Sequence, residues 1–118
     1  MKIRFKGTGE YSAPIAQGAN CLREGREYPV LEVFATADGR NMFRIEVFHD
    51  ELPPLFDSRL FEVSDGTVPS HWAVSVGVQG DITLGPAEWE TPGFWDAFIE
   101  GEPWAAALYH SERNKSLG

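Results

Sequence analysis

The stretch Leu22–Asp65, LREGREYPVLEVFATADGRNMFRIEVFHDELPPLFDSRLFEVSD, decides how this chain folds. From Arg26 to Thr36, Tyr28, Val30 and Glu32 share one parity and Leu31, Val33 and Ala35 the other, the two-residue period of a strand. Val30-Leu31 and Val33-Phe34 are too densely apolar for simple alternation, so cover on both faces is expected. Asp38-Gly39 tolerates the positive φ that a tight antiparallel connection needs. Met42–Phe48 alternates better, with Phe43, Ile45 and Val47 on one face and Arg44 and Glu46 on the other. Pro53-Pro54 interrupts regular structure. Leu60, Phe61 and Val63 then resume a third strand ending at Asp65-Gly66. The economical arrangement of the three is a meander.

Toward the N-terminus, Ile3 and Phe5 alternate with Lys2, Arg4 and Lys6 and predict a first strand. Gly7–Gly25 carries four glycines and little periodicity and is expected to be a long loop with local turns. Beyond the meander, Trp72, Val74, Val76 and Val78 share one parity, which predicts a strand with one apolar face. Gln79-Gly80-Asp81 turns that strand into Ile82–Leu84, a second hairpin. After Pro86 the pattern becomes helical. Thr91 is placed as N-cap and Pro92 at the first helical position, and Phe94, Trp95, Phe98 and Ile99 form one apolar stripe. Gly101 closes this helix in the left-handed conformation, and a second begins at Pro103 with Trp104, Leu108 and Tyr109 on its apolar side.

The expected object is therefore one domain over residues 1–118, mainly β within the α+β class. Residues 1–85 are read as a small antiparallel barrel or curled sheet of five to six strands, 86–112 as a cap of two short helices, and 113–118 as a polar tail. The motif Gly25-x-x-Tyr28-x-Val30, followed by a turn, a paired strand and Phe61-x-Val63, resembles the core of SH3-like small β-barrels over residues 22–65. That resemblance implies a compact barrel that binds something and assigns no catalytic residue.

Composition narrows the function. Hydrophobic residues make up 42% and aromatic residues 13% of 118, enough for a single modest core. No run of about 18 apolar residues is present, so no membrane-spanning helix is expected. Lys2, Arg4 and Lys6 alternate with apolar residues and no apolar leader core follows; with one cysteine, Cys21, unable to form an internal disulfide, a cytoplasmic location is expected. Cys21 reads as a small, partly buried thiol. His49, His71 and His110 stand at no metal-type spacing with another His or Cys, so no metal and no cofactor are expected. The polarity of His49-Asp50-Glu51 is explained by a turn before Pro53. No phosphate-cradling glycine loop and no nucleophile–base set is found, and a non-enzymatic role is expected.

Charge is the more informative signal. The net charge of −8 argues against direct nucleic-acid binding, which needs clustered Lys and Arg. Eight of the ten basic residues lie before residue 60, whereas residues 60–112 hold nine acidic residues and no basic one. Within that half, Glu88, Glu90, Asp96, Glu100 and Glu102 interleave with Trp89, Phe94, Trp95, Phe98 and Trp104. An amphipathic helix over a core shows the same alternation, so the pattern alone leaves two readings open. In the functional one, Glu88, Trp89, Glu90, Asp96, Glu100 and Glu102 form a partner-binding surface for a basic protein, with Trp89 as exposed anchor inside an acidic rim. Small acidic chains of this design resemble toxin-neutralising immunity proteins that mask a basic toxin domain. The alternative is a small-ligand or peptide-binding barrel using Tyr28, Phe43 and the Gly7–Gly25 loop. Ranked last is a small hydrolytic enzyme in which acids and His49 or His71 converge.

Overall fold

The computed structural model describes residues 1–48 and 51–117. Two antiparallel sheets and a C-terminal helical layer make up the fold. The strands are β1 (Lys2–Phe5), β2 (Glu27–Pro29), β3 (Glu32–Ala35), β4 (Asn41–Arg44), β5 (Leu55–Asp57), β6 (Phe61–Asp65), β7 (Trp72–Val76) and β8 (Ile82–Pro86). One sheet has the order β2-β1-β6 and the other β5-β4-β3-β8-β7. The helices are α1 (Ala13–Ala16), α2 (Phe94–Ile99) and α3 (Pro103–Leu117). The mainly β, α+β class with helices at the C-terminal end is as the residue pattern predicts.

The predicted meander is cut at both ends. Arg26–Thr36 is not one strand: β2 pairs with β1, and β3 pairs with β4 and β8 in the other sheet. The break falls at Val30-Leu31, whose side chains enter different cores. That is the physical content of the dense apolar run; this split and the short β5 together raise the strand count among the described residues to eight. The Phe61–Val63 segment pairs with β1 rather than with β4, whose outer neighbour is the short β5 before it.

Two cores result. Ile3, Phe5, Val30, Phe43, Phe56 and Phe61 meet between the sheets, with Phe61 in tilted or edge contact with Phe5, Phe43 and Phe56. The second core is aromatic and lies between the five-stranded sheet and the helices, built on Leu31, Trp89, Phe94, Phe98, Ala105 and Tyr109. The Gly7–Gly25 segment is ordered by packing: α1 and a 3₁₀ turn at Ala19–Cys21 lay Ile15, Ala19 and Leu22 against the first core. Cys21 is exposed there, not partly buried, its thiol donating to the Gly18 carbonyl oxygen at 3.0 Å.

At the C-terminal end, α2 starts at Phe94, with Gly93 as N-cap instead of Thr91. Thr91 ends the preceding 3₁₀ turn Ala87–Glu90, its hydroxyl donating backward to the Glu88 carbonyl. Gly101 takes φ 77° and closes α2 with two reverse bonds, Gly101 N–H to Phe98 O and Glu102 N–H to Ala97 O, the paired pattern of a Schellman cap. The predicted tail is helical as far as Leu117. Arg113 pairs with Glu46, and Ser116 Oγ accepts from Trp72 Nε1 at 3.0 Å, so tertiary contacts hold that last turn.

Candidate functional site

The register of the five-stranded sheet separates its side chains into two faces. Phe43, Val33, Leu84 and Val74 align across β4, β3, β8 and β7 on the face toward the first core. The opposite face carries Arg44, Glu32, Phe34 and Thr83, along with Leu55 from β5. The 3₁₀ turn Ala87–Glu90 and α2 cover only part of this second face. Between them opens a cleft of about 400 Å³, floored by Glu32, Arg44 and Thr83 and walled by Phe94 and Trp95, with Glu90 and Asp96 also on its lining.

An ion pair sits at the bottom. Arg44 Nε donates to Glu32 Oε1 at 3.1 Å, and both side chains are largely buried. Arg44 also donates through Nη1 to the Pro53 carbonyl at 2.6 Å, and its guanidinium lies 4.6 Å from the Trp95 ring centroid. Arg44 is thus held by a carboxylate, a carbonyl and an aromatic face. Gly85 makes room for the pair: a Cβ there would stand 2.9 Å from Glu32 Cγ. Burial pushes the Glu32 carboxyl above its ordinary range, the Arg44 charge and hydrogen bond pull it back, and the negative charge of Glu90 pushes it up again. Glu32, Glu90 and Asp96 stand on the lining of the cleft against the one basic side chain of Arg44.

Of the residues expected to form a partner surface, the structure brings Trp89, Glu90 and Asp96 to the lining of the cleft. Glu88, Glu100 and Glu102 are also exposed but take no part in its lining. Glu102 accepts from Trp104 Nε1 at 2.7 Å. The exposed-anchor role expected of Trp89 is overturned: the side chain is 2% exposed and stacks between Phe94 and Tyr109, with ring centroids 6.0 and 5.3 Å away. A 3₁₀ turn directs the middle residue of Glu88-Trp89-Glu90 inward while both acids stay in water. Trp95, only half-buried, shares the cleft wall with the buried Phe94. Glu32 and Arg44 were missed as a site. Their signal was present, since a charged residue inside an apolar run covered on both faces must find a partner.

The residues weighed for catalysis fall elsewhere. His49 lies outside the described residues. Ser116 Oγ stands 3.1 Å from His71 Nε2, and the buried Glu112 carboxylate stands 3.8 Å from the same nitrogen. A charge relay needs hydroxyl and carboxylate on opposite ring nitrogens, so this cluster has the residue types of a relay without its geometry. Ser116 holds Trp72 and His71 against α3 instead. Among the described residues no group of His, Cys, Asp and Glu could hold a metal ion, and none of the helices is long and apolar enough to cross a membrane. Tyr28 lines a separate cavity of about 300 Å³ together with Cys21, Leu22 and Arg23 from the end of the early loop, while Phe43 is in the first core.

Compared with known proteins, the chain matches no family model, and neither a curated protein nor a solved structure shows significant similarity.

Proposed function

We propose that this protein is a non-enzymatic binding module that receives a basic side chain of a cationic protein partner in the cleft beneath α2. Acting in the cytoplasm as an immunity-type protein that masks a basic toxin domain is the form this reading takes. The observation that carries it is the placement of Glu90 and Asp96 around the Trp95 wall, over a carboxylate whose ionisation burial, and to a lesser degree Glu90, disfavours. An incoming guanidinium or ammonium relieves that repulsion and gains an aromatic neighbour, and the acidic field of the C-terminal half speeds its approach. The test is capture from a lysate of the native cell on immobilised protein. Wild type should retain a basic protein, and Glu90→Lys/Asp96→Lys should lose it at an unchanged melting temperature. Equal capture by the variant sinks the cleft as the binding surface.

A second reading rests on the Tyr28 cavity, which joins the early loop to the β2 edge as a small-ligand site would require. Substituting Tyr28 should then abolish ligand-induced stabilisation while leaving partner capture intact.

A further inference from the structure

We propose that two copies of this chain associate through β7, pairing antiparallel about a two-fold axis at Val74 to join their five-stranded sheets into one of ten strands. The two sheets have four edge strands: β2, β6, β5 and β7. Natural proteins blunt such edges with charge or proline, because unpaired N–H and C=O groups invite another strand. Three edges here are blunted in that way. β2 contains Glu27 and Pro29, β6 contains Glu62 and Asp65, and β5 follows Pro53-Pro54 and ends in the charged Asp57. β7, with the sequence WAVSV, has neither device, and from Pro69 to Gly80 there is no Asp, Glu, Lys or Arg.

The backbone of β7 is oriented for this. Gly77 N–H bonds to Asp81 O at 2.8 Å, so the bonded register with β8 runs through Gly77, Ser75 and Ala73. The N–H and C=O groups of Val74 and Val76 therefore point away from β8, toward the open edge. A two-fold at Val74 lets the two Val74 residues exchange both hydrogen bonds and sets Val76 of each copy opposite Trp72 of the other.

The side chains agree with the backbone. Val74 and Val76 share the parity of the buried Trp72 yet are 65% and 69% exposed, so the predicted apolar face of this strand runs out past the first core into water. Ile82, opposite Val76 on β8, is exposed too. Pairing across the edge would place Val74 against Val74 and continue the apolar face from one copy into the next.

The register of β7 makes a second copy the matching occupant: about a two-fold at Val74, the residues whose backbone groups face the open edge meet as apolar pairs, Val74 on Val74 and Val76 on Trp72. A molecule of net charge −8 repels its own kind over most of its surface, and β7 is the edge where two copies meet without opposing charges. Pairing along a strand of five residues makes a small interface of the weak class, so the dimer should be concentration-dependent.

Analytical ultracentrifugation of the full chain between about 1 and several hundred micromolar, the range over which such weak interfaces form, should show a concentration-dependent monomer–dimer equilibrium. Raising salt should strengthen the dimer by screening self-repulsion, the opposite of its effect on a cleft-bound cation. Val74→Lys, at an exposed position, should leave the protein folded and monomeric throughout. Amide hydrogen exchange gives the second readout: Val74 and Val76 should gain protection as concentration rises. A monomer at every concentration with these two amides freely exchanging overturns the proposal, as does a dimer that survives Val74→Lys. Protection of the same amides only in a complex with a strand of another protein, without self-association, overturns the choice of a second copy.

Discussion

Two buried carboxylates lie on one face of the five-stranded sheet, and they are held in opposite ways. Glu32 sits on an interior strand beneath α2, with a single guanidinium partner that is itself buried. Asp57 ends the edge strand β5, where Arg59 donates from backbone N–H, Nε and Nη2, at 3.0, 2.9 and 2.7 Å, and Arg40 adds a contact at 3.4 Å. Hydrogen bonding to Arg59 and its charge hold the Asp57 carboxyl down to about 2, whereas burial raises Glu32 in spite of Arg44. The sheet gives both residues an arginine. What differs is access to water: the arginines of Asp57 keep their hydration while they bond, and Arg44 gives its own up. The edge site is thus a stabilising clamp, and the interior site is a desolvated pair at the base of a cleft.

The largest effect should come from breaking the interior pair. Arg44→Ala leaves Glu32 buried with no counter-charge and should cost about 3 kcal/mol or more in a denaturant titration. Replacing both partners with Glu32→Leu/Arg44→Met should recover most of that, to within roughly 1.5 kcal/mol of wild type. A double variant as unstable as Arg44→Ala would show that the pair itself, not the desolvated charge, holds the site together.

Acid should separate the two carboxylates next. Asp57, lowered from 3.8 to about 2 on folding, contributes stability that is complete above its unfolded value and is lost as pH falls through about 2. Glu32 is raised, so its contribution has the other sign: complete below its unfolded value of 4.5 and lost as pH rises through the folded one. Thermal melts between pH 2 and 6 should show Asp57→Asn flattening the acid decline and Glu32→Gln steepening it. The same slope in both variants would refute the contrast. Smallest of all should be the exposed bridges of Arg4 to Glu27 and Glu62, at 3.7 and 3.4 Å, where Arg4→Ala should change stability by less than about 0.5 kcal/mol in the same titration.

Much of the fold was legible in local pattern. The strand at Ile3 and Phe5, the β7–β8 hairpin, the helical change after Pro86 and the Gly101 stop all follow from periodicity and backbone stereochemistry, and these act over a few residues. The candidate site was half legible. Glu90 and Asp96 were singled out by their place among aromatics in a region without basic residues, but Trp89 was assigned to the surface because its neighbours are acidic. A 3₁₀ turn has no simple two- or four-residue period, so its inward position leaves no mark on the sequence.

What the sequence by itself determined is the β-rich class with helices at the C-terminal end, the acidic C-terminal half and the demand that Glu32, inside an apolar run, find a partner. Only tertiary structure decided which strands share a sheet, that Val30 and Leu31 enter different cores, that Arg44 answers Glu32, and that the valines of β7 run out beyond the core. Periodicity says which side chains share a face. It does not say what covers that face, because cover comes from segments distant in the chain, joined by packing that no local pattern encodes.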